Sequence, residues 1–176
     1  LIIGWQRIRG ETHLVRLMEA QAKSDWKRVA SESKKAEKPF HKYTDAAMPI
    51  AWHEGVALFQ LGQFDKSAQA FERAYQLNPW SFQVINNYAS ALVKLKRYPE
   101  AIPLFEKALT INPRYDEGKF NLAFVHYQLN DLDQSRAWLS KVDTIANPNN
   151  PVDREKNQVT NKRLLEFQKV ISEKQK

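Results

Sequence analysis

Residues 64–81 read FDKSAQAFERAYQLNPWS, and residues 98–115 read YPEAIPLFEKALTINPRY. The two stretches lie 34 residues apart and share a set of columns. Asn78-Pro79 recurs as Asn112-Pro113, Phe71 as Phe105, Ala74 as Ala108, Ser67 as Ala101 and Phe64 as Tyr98. The register continues a third time with Leu132, Ser135, Leu139 and Val142. Upstream of each stretch stands a small residue in one column: Gly55, Ala89, Ala123. A fixed period of this length marks stacked supersecondary units, none of which can bury its apolar face alone.

The columns describe a pair of helices. The small residue at the eighth position of each unit lets two helices cross closely. A second small residue opens the second helix, and a large apolar residue follows four later on the same face. Pro79 and Pro113 end the second helix and start the next unit. Asp65 is expected to cap the second helix of the first unit, and Pro99 to take a first helical position. The units are read as 48–81, 82–115 and 116–147. The third lacks the terminal proline in register, with Asn147-Pro148 displaced by one residue.

Helical segments flank this block. Residues 1–47 carry two, over 5–22 and 25–38, the first with an apolar stripe at Trp5, Ile8, Val15 and Met18. Trp26 stands 38 residues before Phe64, and Ala36 stands 38 before Ala74. That shared offset points to a divergent unit followed by a longer loop, Pro39 to Pro49. Residues 148–176 open on a breaker cluster, Asn147-Pro148-Asn149-Asn150-Pro151. A helix over about 152–174 follows, with a stripe at Leu164, Phe167 and Ile171. It reads as a terminal cap with a polar outer face.

Composition bounds the rest. The chain has 176 residues with 43% hydrophobic, 27% charged, 5 Gly and 8 Pro, which is globular composition. The absence of cysteine excludes disulfides, thiolate metal sites and cysteine nucleophiles. No run of 18 apolar residues occurs. The net charge of +7 sits in the flanks: residues 1–40 carry +4 and residues 148–176 carry +3, while 41–113 carry +1 and 114–147 carry −1. A nucleic-acid reader concentrates basic residues on its working face, so nucleic acid is the less favoured partner.

No catalytic constellation emerges. His53-Glu54 starts like a metalloprotease helix, but the second histidine would fall at Ala57. Asp131 and Asp133 start like a calcium loop, but no glycine follows. The glycines are scattered and no serine stands in a nucleophile elbow. The sequence is therefore read as non-enzymatic, with no catalytic residue, metal, cofactor or small-molecule substrate.

The period and the columns resemble the tetratricopeptide repeat (TPR) family. The resemblance implies an all-α fold, an α-α superhelix of antiparallel helix pairs with flanking helices at each end. It also implies ligand contact along the first helix of each unit. Carried onto this sequence, those positions include Trp52, His53 and Phe59 in the first unit, Asn86 and Asn87 in the second, and Phe120, Asn121, Phe124 and Tyr127 in the third. Aromatics offer apolar contact at low entropic cost, and asparagine both donates to and accepts from an extended peptide backbone. Family members that clamp a C-terminal carboxylate use five polar positions, of which Asn87 alone survives here. A protein or peptide segment is the implied partner. The competing reading of the groove is that the flanking helices fill it, making the aromatics core.

A narrower resemblance rests on PIAWHEGVA at 49–57, LNPW at 77–80 and VINNYA at 84–89. These are similar to TPR regions appended to bacterial membrane proteins of the O-antigen ligase type. The resemblance implies an accessory module of a larger membrane-associated protein of surface polysaccharide assembly. Leu1-Ile2-Ile3-Gly4-Trp5 would then end a membrane span, and Arg7 and Arg9 would place the module on the cytoplasmic face, with the periplasm as the alternative. Outside that resemblance, the alternative function is nucleic-acid or anionic-surface binding through the basic flanking helices.

Overall fold

The structure is a computed structural model that describes residues 2–38, 42–142 and 151–174, with side chains described over 11–38, 42–142 and 160–174. The helices are α1 (Ile2–Ala22), α2 (Trp26–Ala36), α3 (Ile50–Gln60), α4 (Phe64–Leu77), α5 (Phe82–Lys94), α6 (Tyr98–Ile111), α7 (Asp116–Gln128), α8 (Leu132–Leu139) and α9 (Pro151–Lys174). An isolated antiparallel bridge joins Tyr43 and Pro49. None of the described helices is long and apolar enough to cross a membrane. The side chains of Trp5, Ile8, Arg7 and Arg9 and the cluster 147–150 lie outside the described residues.

The chain forms two compact units, Leu1–Leu104 and Phe105–Lys176. In the first, α1 to α5 pack each against the next. In the second, α7 packs on α8 and α8 on α9.

The turn inside each helix pair uses one device. Ser24, Gly62, Lys96 and Asn130 all adopt left-handed backbone, with φ of 53°, 71°, 60° and 63°. A single left-handed residue reverses the chain in the shortest distance, and glycine alone does so without a side-chain penalty. The last three positions keep the 34-residue register, and Ser24 stands 38 before Gly62. At their other ends the helices stop where the Asn-Pro pairs required. Asn78 N–H donates to the Ala74 carbonyl at 2.9 Å, and Asn112 N–H to the Ala108 carbonyl at 2.9 Å.

The small-residue columns have a hydrogen-bonding role as well as a steric one. Ser67 Oγ donates to the Gly55 carbonyl at 2.8 Å, and Ser135 Oγ donates to the Ala123 carbonyl at 2.8 Å. Both serines are fully buried, so each bond latches the second helix onto the first where a polar group would otherwise be orphaned. Gly55 is required by contact: a Cβ there would lie 2.5 Å from Phe71 Cδ1.

Capping departs from expectation. Helix α4 opens at Phe64 with Gln63 as its N-cap, so Asp65 lies inside the first turn and favours the helix through the macrodipole instead. Pro99 is the second residue of α6. Side-chain caps fall elsewhere. Asp25 accepts from Arg28 N–H at 3.1 Å, Ser81 from Val84 N–H at 3.4 Å and Asp131 from Gln134 N–H at 3.2 Å. The Asp131/Asp133 pair is thus the start of α8.

The stripe on α1 is also corrected. Val15 and Met18 are 59% and 39% exposed, whereas Leu14, Leu17 and Ala20 are buried against Val29, Ala36, Ile50 and Ala57. The helix carries apolar residues on more than one face, so spacing alone did not select the packed one. Polar contacts orient it: Glu32 of α2 pairs with His13 at 2.7 Å, while Lys35 holds its other oxygen at 2.9 Å. Those partners, Lys35 first, hold the Glu32 carboxyl below its usual range.

Candidate functional site

In the first unit the expected groove residues are largely covered. His53 is 6% exposed, and its Nδ1 donates to Gln21 Oε1 of α1 at 2.7 Å. Burial pushes the imidazole down to about 4. His53 is therefore a neutral packing residue at the α1–α3 contact, and its expected role in ligand contact is withdrawn. Trp52 meets it edge-on at 4.9 Å and packs with Ala51, Ala74 and Val84. Phe59 stacks edge-on to Phe64 at 5.3 Å over the Phe71 cluster. Asn86 is 4% exposed, its amide toward Asn87 Oδ1 at 3.5 Å, while Asn87 itself stays half-exposed. Of the five positions in this unit, Asn87 is the one left facing outward as a polar group.

The second unit differs. Phe120, Asn121, Phe124 and Tyr127 lie along α7 and share one cleft of about 460 Å³ with Arg163, Glu166, Phe167 and Val170 of α9. Phe120 is buried beneath the Arg163 guanidinium, 4.6 Å from its ring. Tyr127 meets Phe167 edge-on at 5.7 Å, and Lys174 Nζ donates to the Tyr127 carbonyl at 3.0 Å. Phe124 is 40% exposed and Val170 43% exposed. The cleft thus has an apolar floor and an exposed aromatic at its mouth, with Asn121 on α7 able to hydrogen-bond.

Helix α9 builds the second wall, and its sequence position explains why its cleft residues were not singled out. The stripe Leu164, Phe167 and Ile171 faces Phe120, Ala123, Leu139 and Val142. The cleft residues Arg163, Glu166 and Val170 form the neighbouring ridge, one residue earlier at the same spacing. Arg163 donates to Glu117 at 2.9 and 3.4 Å, which fixes its guanidinium over Phe120. An ion pair this exposed contributes orientation more than stability.

Comparison with known proteins follows the same lines. Residues 53–116 and 92–152 each match a family described as tetratricopeptide repeat. A wheat (Triticum aestivum) Hsp70-Hsp90 organizing protein is 30% identical over 88 residues, which are 50% of this chain and 15% of that protein. A Saccharomyces cerevisiae peroxisomal targeting signal receptor is 26% identical over 88 residues, 50% of this chain and 14% of that protein. The chain thus spans a small part of either relative. Among solved structures, a MamA protein superposes with a TM-score of 0.69 at 13% identity, covering 94% of this chain and 91% of that one. YrrB, described as a TPR protein with an unusual peptide-binding site, gives 0.68 at 16% identity over 75% and 66% of the two chains. The likeness to these structures is one of fold: all-α, built of helix pairs. With the repeated columns, the paired helices and the two family matches in agreement, this chain belongs to the tetratricopeptide-repeat family.

Proposed function

We propose that the chain is a non-catalytic scaffold that binds an extended peptide or protein segment, and that the α7–α9 cleft is one seat for it. The carrying observation is Phe124, an aromatic 40% exposed at the mouth of an apolar cleft. An exposed aromatic that continues an apolar cleft floor is a ready anchor for a partner's side chain. The yeast relative is a peroxisomal targeting signal receptor and YrrB is a TPR protein with an unusual peptide-binding site, which supports this class of partner.

A peptide selected from a displayed library on the immobilised chain provides the probe. Phe124→Ala is expected to raise its Kd at least about tenfold, about 1.4 kcal/mol, with a small fall in Tm because the ring is already 40% exposed. Asn87→Ala reports in parallel on the half-exposed position of the first unit. Equal affinity of wild type and Phe124→Ala would remove the cleft as the binding seat.

We read the parent protein as membrane-associated and engaged in surface polysaccharide assembly, with this module on the cytoplasmic face. Support for that context is the likeness of residues 49–57, 77–80 and 84–89 to ligase-associated repeats. A reading frame upstream of Leu1 without hydrophobic spans would overturn it.

A further inference from the structure

A second cleft lies in the first unit, away from the positions read as groove. Glu54 stands two residues after Trp52 on α3, about 200° around the helix, so it faces the opposite side. There Lys34 of α2, Lys38 and Lys42 of the following connection, and Lys66 and Arg73 of α4 surround a depression of about 600 Å³. Its two acidic residues are Glu37 and the buried Glu54. Five cations thus face two carboxylates, a formal excess of three positive charges.

The carboxylates present are already engaged. Glu54 takes Arg73 Nη2 at 2.5 Å and Lys34 Nζ at 3.6 Å. Glu37 takes Lys42 Nζ at 3.4 Å and Arg73 Nη2 at 3.9 Å. Lys66 donates to the Gln63 amide oxygen at 3.1 Å and, among the described residues, pairs with no carboxylate. Among the described residues Lys38 pairs with no carboxylate. Among the described residues, two ammonium groups therefore stand on the cleft without a carboxylate partner, beside three more cations.

From this arrangement we infer that the cleft binds an acidic segment of a partner protein, its carboxylates bridging Lys38 and Lys66. Size argues against a lone oxyanion, because a depression of about 600 Å³ holds several residues of chain. Charge type argues the same way. The single guanidinium is committed to Glu54 and Glu37, so no free planar fork remains for bidentate phosphate recognition. What remains is lysine, a point charge that one carboxylate oxygen satisfies. The Lys34–Glu54 and Lys42–Glu37 pairs show that pairing in place.

The test is fluorescence anisotropy with a labelled peptide alternating Glu and Gly, against the matching Gln-Gly peptide. The acidic peptide is expected to bind and the neutral one not. Lys38→Gln with Lys66→Gln should raise its Kd at least about tenfold, and binding should weaken as salt rises from about 50 to 200 mM. Gln69→Glu, an exposed α4 position on the same cleft, should weaken binding independently by adding a carboxylate. Phe124→Ala should leave it unchanged, which separates this site from the α7–α9 cleft. Unchanged affinity in both cleft variants would overturn the inference. So would displacement of the peptide by inorganic pyrophosphate, single-stranded DNA or phosphatidylserine vesicles at lower concentration than unlabelled acidic peptide.

Discussion

Adding one methyl group at Gly55 tests the helix-crossing column directly. In Gly55→Ala the new Cβ would sit 2.5, 2.6 and 2.9 Å from Phe71 Cδ1, Cε1 and Cγ. Carbon atoms in favourable contact stand about 3.5–4.0 Å apart, so the ring must retreat by roughly 1 Å. Phe71 is 1% exposed and cannot swing into water. Overpacking of this kind costs about 1–3 kcal/mol. Against it, alanine is favoured over glycine in a helix by about 1 kcal/mol. The sequence also carries Ala and Phe at these columns in the repeat 82–115, as Ala89 and Phe105, so a small widening of the helix pair can absorb part of the strain. The net expectation is a loss of about 0–2 kcal/mol, a fall of up to roughly 6 °C in Tm for a chain of this size. The third unit shows the remedy, since Ala123 and Leu139 occupy the same columns and are both buried. Phe71→Leu alone should cost about 1 kcal/mol for lost ring volume. The double variant should be more stable than the sum of the single effects by at least about 1 kcal/mol. Urea denaturation followed by far-UV circular dichroism measures all four corners of the cycle. A stabilising Gly55→Ala, or strictly additive single effects, would refute the steric account of this column.

Removing either latch hydroxyl, in Ser67→Ala or Ser135→Ala, should cost about 1 kcal/mol in the same denaturation assay, because each bond is buried and short. His53 makes stability depend on pH. Its folded pKa, about 4, lies below the unfolded value near 6.5, so the unfolded chain binds more protons between the two. Stability should be full above about pH 6.5 and fall as pH drops toward 4. The buried Glu54 carboxyl, pushed up by desolvation, acts in the opposite sense, so the readout is the difference between wild type and His53→Gln. An identical pH slope in both proteins would contradict the burial of a neutral imidazole.

The repeat and its helix pairs were legible because each column is read several times. Gly55, Ala89 and Ala123 differ as residues but share smallness, and Asn78-Pro79 and Asn112-Pro113 share the capacity to end a helix. The left-handed turn column was not legible. Ser24, Gly62, Lys96 and Asn130 have no common chemistry, and the backbone conformation they share is imposed by the helices on either side. Capping likewise shifted by two residues at α4, because the turn after Gly62 closes on Gln63 and leaves Asp65 inside the helix.

The candidate site divided along the same line. The positions on α3, α5 and α7 followed from period and family pattern, yet their exposure did not. His53 is closed by Gln21 on α1, a helix whose packed face spacing did not select. Phe124 stays open because α9 lies over Phe120 and Tyr127 and leaves the cleft mouth uncovered. By itself the sequence determined that helices pair at fixed spacing, since that depends on side-chain size and turn chemistry within each unit. Only the tertiary structure decided which aromatics meet solvent. That depends on contacts between segments 32, 46 and 47 residues apart, separations that do not follow the 34-residue register and leave no period to read.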